Sequence, residues 1–144
     1  MTAASPRRLL TVCLGNHCRS PLAAAVLARQ GGAAVQALSA GIREKHVGRP
    51  AHPLMITAAA ACGYDLTPHL GVQVSRELLD WADTVLAMDR NNLAALQDLA
   101  DERTVPKLRL YLGDQDVPDP WGGDDAAFAT VVKLIEDGAA RHLT

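Results

Sequence analysis

"VCLGNHCRSP", residues 12–21, joins an apolar run to a helix start through a short loop that holds a thiol and a guanidinium. Upstream, "RLLTVCL" (8–14) is apolar and reads as a buried strand. Downstream, Ser20 and Pro21 read as a helix start, with proline in the first turn, where its missing N–H costs nothing. The helix runs through "LAAAVLARQ" and stops at Gly31-Gly32. Strand, tight loop and helix form half of a β–α–β unit, and the same alternation continues along the chain.

"AAVQALSAG" (33–41) is strand-like and turns at Gly41. A polar loop, "IREKHVGRPAH" (42–52), leads to Pro53, which opens a helix over "LMITAAAAC" closed by Gly63. "SRELLDWA" (75–82) is a short helical piece, and "TVLAMD" (84–89) is a third buried strand. "NNLAALQDLA" (91–100) places Leu93, Leu96 and Ala100 on one helical face. "KLRLYL" (107–112) is a fourth strand, and "GDQDVPDPWGGD" (113–124) is a loop. The final helix, 125–143, puts Phe128, Val131, Val132 and Ile135 on one stripe. The expectation is an α/β fold: a single domain, 1–144, with a four-stranded parallel twisted sheet and helices on both faces. Sites in such sheets lie beyond the carboxyl ends of the strands. The segments expected there are 14–20, 41–48, the stretch after Asp89, and 113–123.

Composition narrows the function. The length of 144 residues suits one core, and with one Phe, two Tyr and two Trp the core must be filled by Ala, Leu and Val. A formal net charge of −2 gives no general attraction for nucleic acid or an anionic membrane. Three oddly spaced cysteines do not make a disulfide scaffold and point to a reducing compartment, so a cytoplasmic location is expected. Two arginines before an apolar run resemble a leader, but the run is short and ends in Asn16, His17 and Arg19, which argues against one. No stretch is long and apolar enough to span a bilayer.

A loop between a strand and a helix N-terminus converges backbone N–H groups on one point, where the helix dipole favours an anion. Gly15 lets the backbone curve without a side chain, and Arg19 adds a planar fork that matches two phosphate oxygens. A thiol that titrates near 8.5 in solution falls to roughly 3.5–7.5 at a helix N-terminus beside an arginine. Cys13 is therefore expected to be a nucleophile aimed at the phosphorus of a bound phosphate. The Gly-Lys-Ser/Thr of a nucleotide-binding loop is absent, and no second paired motif follows Cys13 and Cys18 to complete a zinc site. A leaving group needs a proton, and Asp119, stiffened by Pro118 and Pro120, is the candidate acid. Asp114 and Asp116 compete with it, and only the neighbouring Trp121 and the position at the sheet edge favour Asp119.

"VCLGNHCRSP" with "SAG" at 39–41, "HVG" at 46–48, "MDRNN" at 88–92 and "DPW" at 119–121 resembles the low-molecular-weight protein tyrosine phosphatases along nearly the whole chain. The resemblance implies Cys13 as nucleophile, Arg19 as phosphate clamp and Asp119 as acid, then base. It implies a substrate surface along Leu14, Gly15, Asn16, His17, Cys18 and Ser20, with Ser20 also bonding the thiolate. It implies that Asn16, Ser39 and His69 hold the loop in shape, with no metal and no organic cofactor. It implies phosphotyrosine-bearing proteins as partners, with a cognate tyrosine kinase opposing them. Cys18 resembles the family's second cysteine, which pairs with the nucleophile under oxidation. Cys62, in an alanine-rich helix, is expected in the core.

The departures fall on the cleft walls. Lys45 stands where the family usually has an aromatic, His17 where an apolar residue is common, and "DPWG" replaces "DPYY", leaving Trp121 as the aromatic wall. "HPL" at 52–54 replaces the family's "DPR". The leading expectation is phosphotyrosine hydrolysis through a phosphocysteine. The alternatives are a phosphoarginine phosphatase, a thiol-dependent arsenate reductase and a silent phosphoprotein-binding module. The reductase needs extra cysteines after the third strand, where "AMDRNN" has none, and the silent module is at odds with the presence of nucleophile, clamp and acid.

Overall fold

The computed structural model describes residues 5–143; residues 1–4, part of the stretch weighed as a leader, and Thr144 lie outside the described residues. Four parallel strands pair in the order β2-β1-β3-β4: β1 (Arg7–Cys13), β2 (Val35–Gly41), β3 (Thr84–Ala87) and β4 (Leu108–Leu110). Helices fill the connections: α1 (Arg19–Gly31), α2 (Pro53–Ala61) and α3 (Arg76–Trp81), then α4 (Arg90–Leu99), with α5 (Asp125–Gly138) after the last strand. The α/β architecture is the one expected from the alternating pattern. Among the described residues, no helix is long and apolar enough to cross a membrane.

The alternation of side chains along β1 builds the two layers. Leu9 and Cys13 face a core with Leu22 and Val26 of α1, Met55 of α2, and Phe128, Val131, Val132 and Ile135 of α5. Leu10 and Val12 face the other way, onto Leu79 of α3 and Leu96 of α4, with Leu93 and Ala100 at the margin. Both β1 faces are therefore covered, and each fully buried leucine contributes about 1.5–3 kcal/mol. That double burial explains why residues 8–14 read as an unbroken apolar run.

The boundaries differ from expectation for local reasons. β2 begins at Val35 because Gly32–Ala34 form a 3-10 turn. β3 ends at Ala87 because Asp89 turns away to cap α4, although Met88 N–H still donates to the Val12 carbonyl. The fourth strand keeps only Leu108–Leu110. Val105–Lys107 coil into a 3-10 turn before it, and Gly113 (φ 82°) reverses the chain soon after it. Cys62 is exposed, contrary to its expected place in the core. It lies three residues beyond the buried Ala59, but α2 stops at Ala61 and the chain turns at Gly63 (φ 89°), so the buried stripe ends before it.

Candidate active site

Four of the five α-helices among the described residues begin with a side-chain cap: His52, Ser75, Asp89 and Asp124 accept from the first turns of α2, α3, α4 and α5. α1 has none, and its first turn carries no acidic residue. Its orphan N–H groups and the positive end of its dipole are left for something else.

The loop that feeds α1 turns its carbonyls outward. The carbonyls of Cys13 and Leu14 accept from Ile42 and Arg43 N–H at 3.0 and 2.8 Å, and that of His17 accepts from His52 N–H at 2.9 Å. The Asn16 carbonyl accepts from His69 Nε2 at 2.9 Å. In a trans peptide the N–H points opposite to the C=O, so the amides of Leu14, Gly15, His17 and Cys18 face the other way. Those four residues line a cleft of about 200 Å³, and Asn16 does not. Among the described residues, the backbone N–H groups of the loop from Leu14 to Cys18 donate to no protein acceptor. Asn16 makes the turn possible with a left-handed φ of 53°, which asparagine tolerates better than most residues.

The same asparagine anchors the loop from below. Its Nδ2 donates to Ser20 Oγ at 2.8 Å and Ser39 Oγ at 2.9 Å, and its Oδ1 accepts from Val72 N–H at 2.8 Å. Asn16 and Ser20, expected along the substrate surface, are instead buried beneath it. Cys13 Sγ lies 3.0 Å from Ser20 Oγ. Because Asn16 donates to that oxygen, the hydroxyl proton is free to point at the sulfur, with the Ala40 carbonyl at 3.3 Å as the competing acceptor among the described residues.

Arg19 is buried to 3% side-chain exposure at the cleft wall. Its Nη1 donates both hydrogens, to Asp89 Oδ2 and to the Val117 carbonyl, each at 2.8 Å. The Nε–Nη2 edge, a two-pronged donor suited to an oxyanion, is left over. Asp119 enters the cleft beside it, with Oδ2 3.7 Å from Arg19 Nη2 and Oδ1 accepting from Trp121 N–H at 3.0 Å. The competitors do not line the cleft: Asp116 pairs with Arg90 at 3.1 Å, and the Asp114 backbone carbonyl accepts from Arg90. Trp121 is exposed at the rim, with Lys45 Nζ 6.0 Å from its ring centroid.

Sequence reasoning left four contributors unassigned. Asp89 ends the expected third strand and falls in the "MDRNN" motif, but had no role of its own. Arg43 lines the cleft, and its backbone N–H donates to the Leu14 carbonyl. His46 also lines it, and its ring stacks on His17 at 3.9 Å between centroids and 1° between planes; His52 meets His17 edge-on at 5.2 Å. Burial first, then the neighbouring His46 and His52, lower His17 to about 4, with the Pro50 carbonyl opposing. Burial, and then Lys45, lower His46 as well. Cys18 is buried as a free thiol beside Cys13, and desolvation followed by the Cys13 charge pushes it up to about 12. Among the described residues no cluster could hold a metal ion.

Residues 8–144 match the family described as low molecular weight phosphotyrosine protein phosphatase. The chain belongs to that family. It is 36% identical to the low molecular weight protein-tyrosine-phosphatase YfkJ of Bacillus subtilis, over 94% of this chain and 92% of that one. It is 35% identical to the probable phosphatase EpsP of Ralstonia nicotianae, over 92% and 90%. Among solved structures, Vibrio vulnificus Wzb in complex with benzylphosphonate superposes with a TM-score of 0.89 at 28% identity, covering 95% of this chain and 97% of that one. The family accounts for the shared architecture and marks the chain as a hydrolase.

Proposed function

We propose that the chain hydrolyses phosphotyrosine in proteins through a phosphocysteine on Cys13, as a single catalytic domain working in the cytoplasm. The observation that supports this most is the convergence in one cleft of a buried thiol, unpaired loop amides, the free edge of Arg19 and the Asp119 carboxyl. In the first step Cys13 Sγ, as thiolate, forms a bond to phosphorus while the phosphorus–phenolic oxygen bond breaks. The loop amides and the Arg19 fork hold the charge that builds on the equatorial oxygens. Asp119, protonated, gives its proton to the phenolate. In the second step Asp119 takes a proton from water as that water attacks phosphorus. The sulfur–phosphorus bond breaks, inorganic phosphate leaves, and the thiolate is restored to its bond with Ser20.

The depth of Cys13, 3% exposed, favours a long flat side chain over phosphoserine. Trp121 offers an aromatic wall, and Lys45 and Arg43 give the rim a positive charge that suits acidic residues beside the phosphotyrosine. The related Vibrio vulnificus protein holds benzylphosphonate, a phosphonate joined to an aromatic ring through one methylene. A cognate tyrosine kinase is the opposing partner this reading expects.

The test is turnover of p-nitrophenyl phosphate and of phosphotyrosine, phosphoarginine and phosphoserine peptides. Cys13→Ser is expected to abolish turnover yet bind phosphate, and Arg19→Ala to lose both. Asp119→Asn is expected to slow esters with poor leaving groups by about 10²–10⁴-fold and good ones much less. Phosphoarginine as the best substrate, or turnover surviving in Cys13→Ser, overturns the proposal.

A further inference from the structure

Three of the five histidines in the sequence cluster beside the loop that feeds α1, with His46 and His52 both packed on His17. We propose that His46 is a positioning residue for this loop, clamping its outer half in the anion-binding shape by stacking on His17 and seating on Gly15. The inference rests on the phosphatase reading of the cleft.

The contacts form a clasp. The His46 ring lies so close to Gly15 that a Cβ there would stand 2.9 Å from His46 Cδ2. His17 Nδ1 is buried without a hydrogen-bond partner, and its ring is packed between those of His46 and His52. The backbone of the clasp is itself fixed. Val47 bridges Gly71, Gly48 N–H donates to the Gly71 carbonyl, and Gly71 N–H donates to the Arg49 carbonyl, each bond 2.9 Å. Gly71 leaves no room for a side chain, since a Cβ would meet the His46 carbonyl oxygen at 2.1 Å. On either side of Gly71, His69 and Val72 N–H hold the carbonyl and the side chain of Asn16. One pair of crossing segments thus grips Asn16 from below and Gly15 and His17 from outside. His52 closes the far end, bonding the His17 carbonyl through its N–H and leaning its ring on Phe128 of α5 at 4.8 Å.

The grip depends on uncharged rings. The groups that face the pair are cationic or imidazole: Lys45 and Arg49 on the segment of His46, His52 at the start of α2, and His69 beyond α2. Asp119 and Arg43 share the cleft with it. Protonating His46 sets its charge against Lys45 and Arg49, and protonating both rings sets like charges against one another at stacking distance. Acid should therefore loosen the loop, and an aromatic ring that cannot titrate should not.

The experiment measures the dissociation constant of inorganic phosphate, with turnover of p-nitrophenyl phosphate alongside, for wild type, His46→Ala and His46→Phe between about pH 4.5 and 7.5. Thermal midpoints of the three check that they fold. Displacement of binding groups by about 1 Å is worth as much as roughly 10²-fold, so His46→Ala should weaken phosphate by tenfold or more at neutral pH. His46→Phe should restore most of that affinity. On acidification wild type should lose phosphate affinity faster than His46→Phe, a comparison in which the ionisation of phosphate itself cancels. Unchanged binding in His46→Ala, a Phe variant as weak as the Ala one, or parallel pH curves each overturn the proposal. Because wild-type turnover is read in the same series, an inactive wild type counts against the phosphatase reading and leaves the phosphate-binding result to judge the clasp separately.

Discussion

Asp89 divides its carboxylate between two structures: Oδ1 accepts from Asn92 N–H at the start of α4, and Oδ2 holds Arg19 Nη1, each at 2.8 Å. The second bond matters more, because the guanidinium is buried and its removal from water must be offset by a fixed partner. Asp89→Ala is expected to cost about 3–5 kcal/mol, as breaking one side of a buried ion pair does. Asp89→Asn retains a good cap and loses only the charge, so it separates the two functions. Urea unfolding of both variants is the measurement. An Asn variant as stable as wild type would make Asp89 a cap alone. Cys18 is a slower matter at the same scale: a thiol held up at about 12 is a poor attacking group, so any bond to Cys13 must await oxidation of Cys13 first.

β2 is the element that sets the loop's height. It ends at Gly41, opposite Cys13 in the register, and its backbone runs directly under the loop. A Cβ on Gly41 would stand 2.7 Å from the Asn16 nitrogen and 2.8 Å from the Gly15 carbonyl carbon, both backbone atoms with little freedom to yield. Gly41→Ala is therefore expected to lift the loop while leaving the sheet intact. The expected outcome is a fall in kcat/KM of about 10²-fold with an unchanged far-UV dichroism spectrum. Near-normal kinetics would mean that the loop has slack the contacts do not suggest. At this scale the "SAG" stretch was legible as a strand with a turn, but the reason for its glycine lies in a loop 25 residues away in sequence.

For the molecule as a whole, acid stability follows from the histidines. His17, His46, His69 and His142 all titrate below 6.5 in the fold, burial being the first cause in each. Between the folded values and 6.5 the unfolded chain binds protons that the folded chain refuses, so stability falls as pH drops through that window. For His17 the window reaches down to about 4. Asp65 and Asp101 act below it: their carboxyls are held under 3.8 by bonds from Thr67 and Arg103, so their contribution is lost only as pH falls further. Urea midpoints in a phosphate-free buffer should rise from about pH 4 to 6.5 and level off above that. A flat profile across the window would show that these rings protonate without strain.

The sequence by itself determined the layers and the location of the chemistry. Apolar runs bounded by helix starts encode burial and local hydrogen bonding, and both act within a few residues. That is why the parallel sheet, the loop between Cys13 and Arg19, and the buried stripe of α5 were legible. Where strands end was less so, because Asp89 and Gly113 redirect the chain through contacts and backbone angles that no periodicity carries. Tertiary structure alone decided which carboxylates meet Arg19, that Asp116 turns to Arg90, that the loop's carbonyls face outward, and that three histidines meet. Each of these joins residues brought together only where the loops converge at one edge of the sheet, and that convergence depends on the packing of the whole fold.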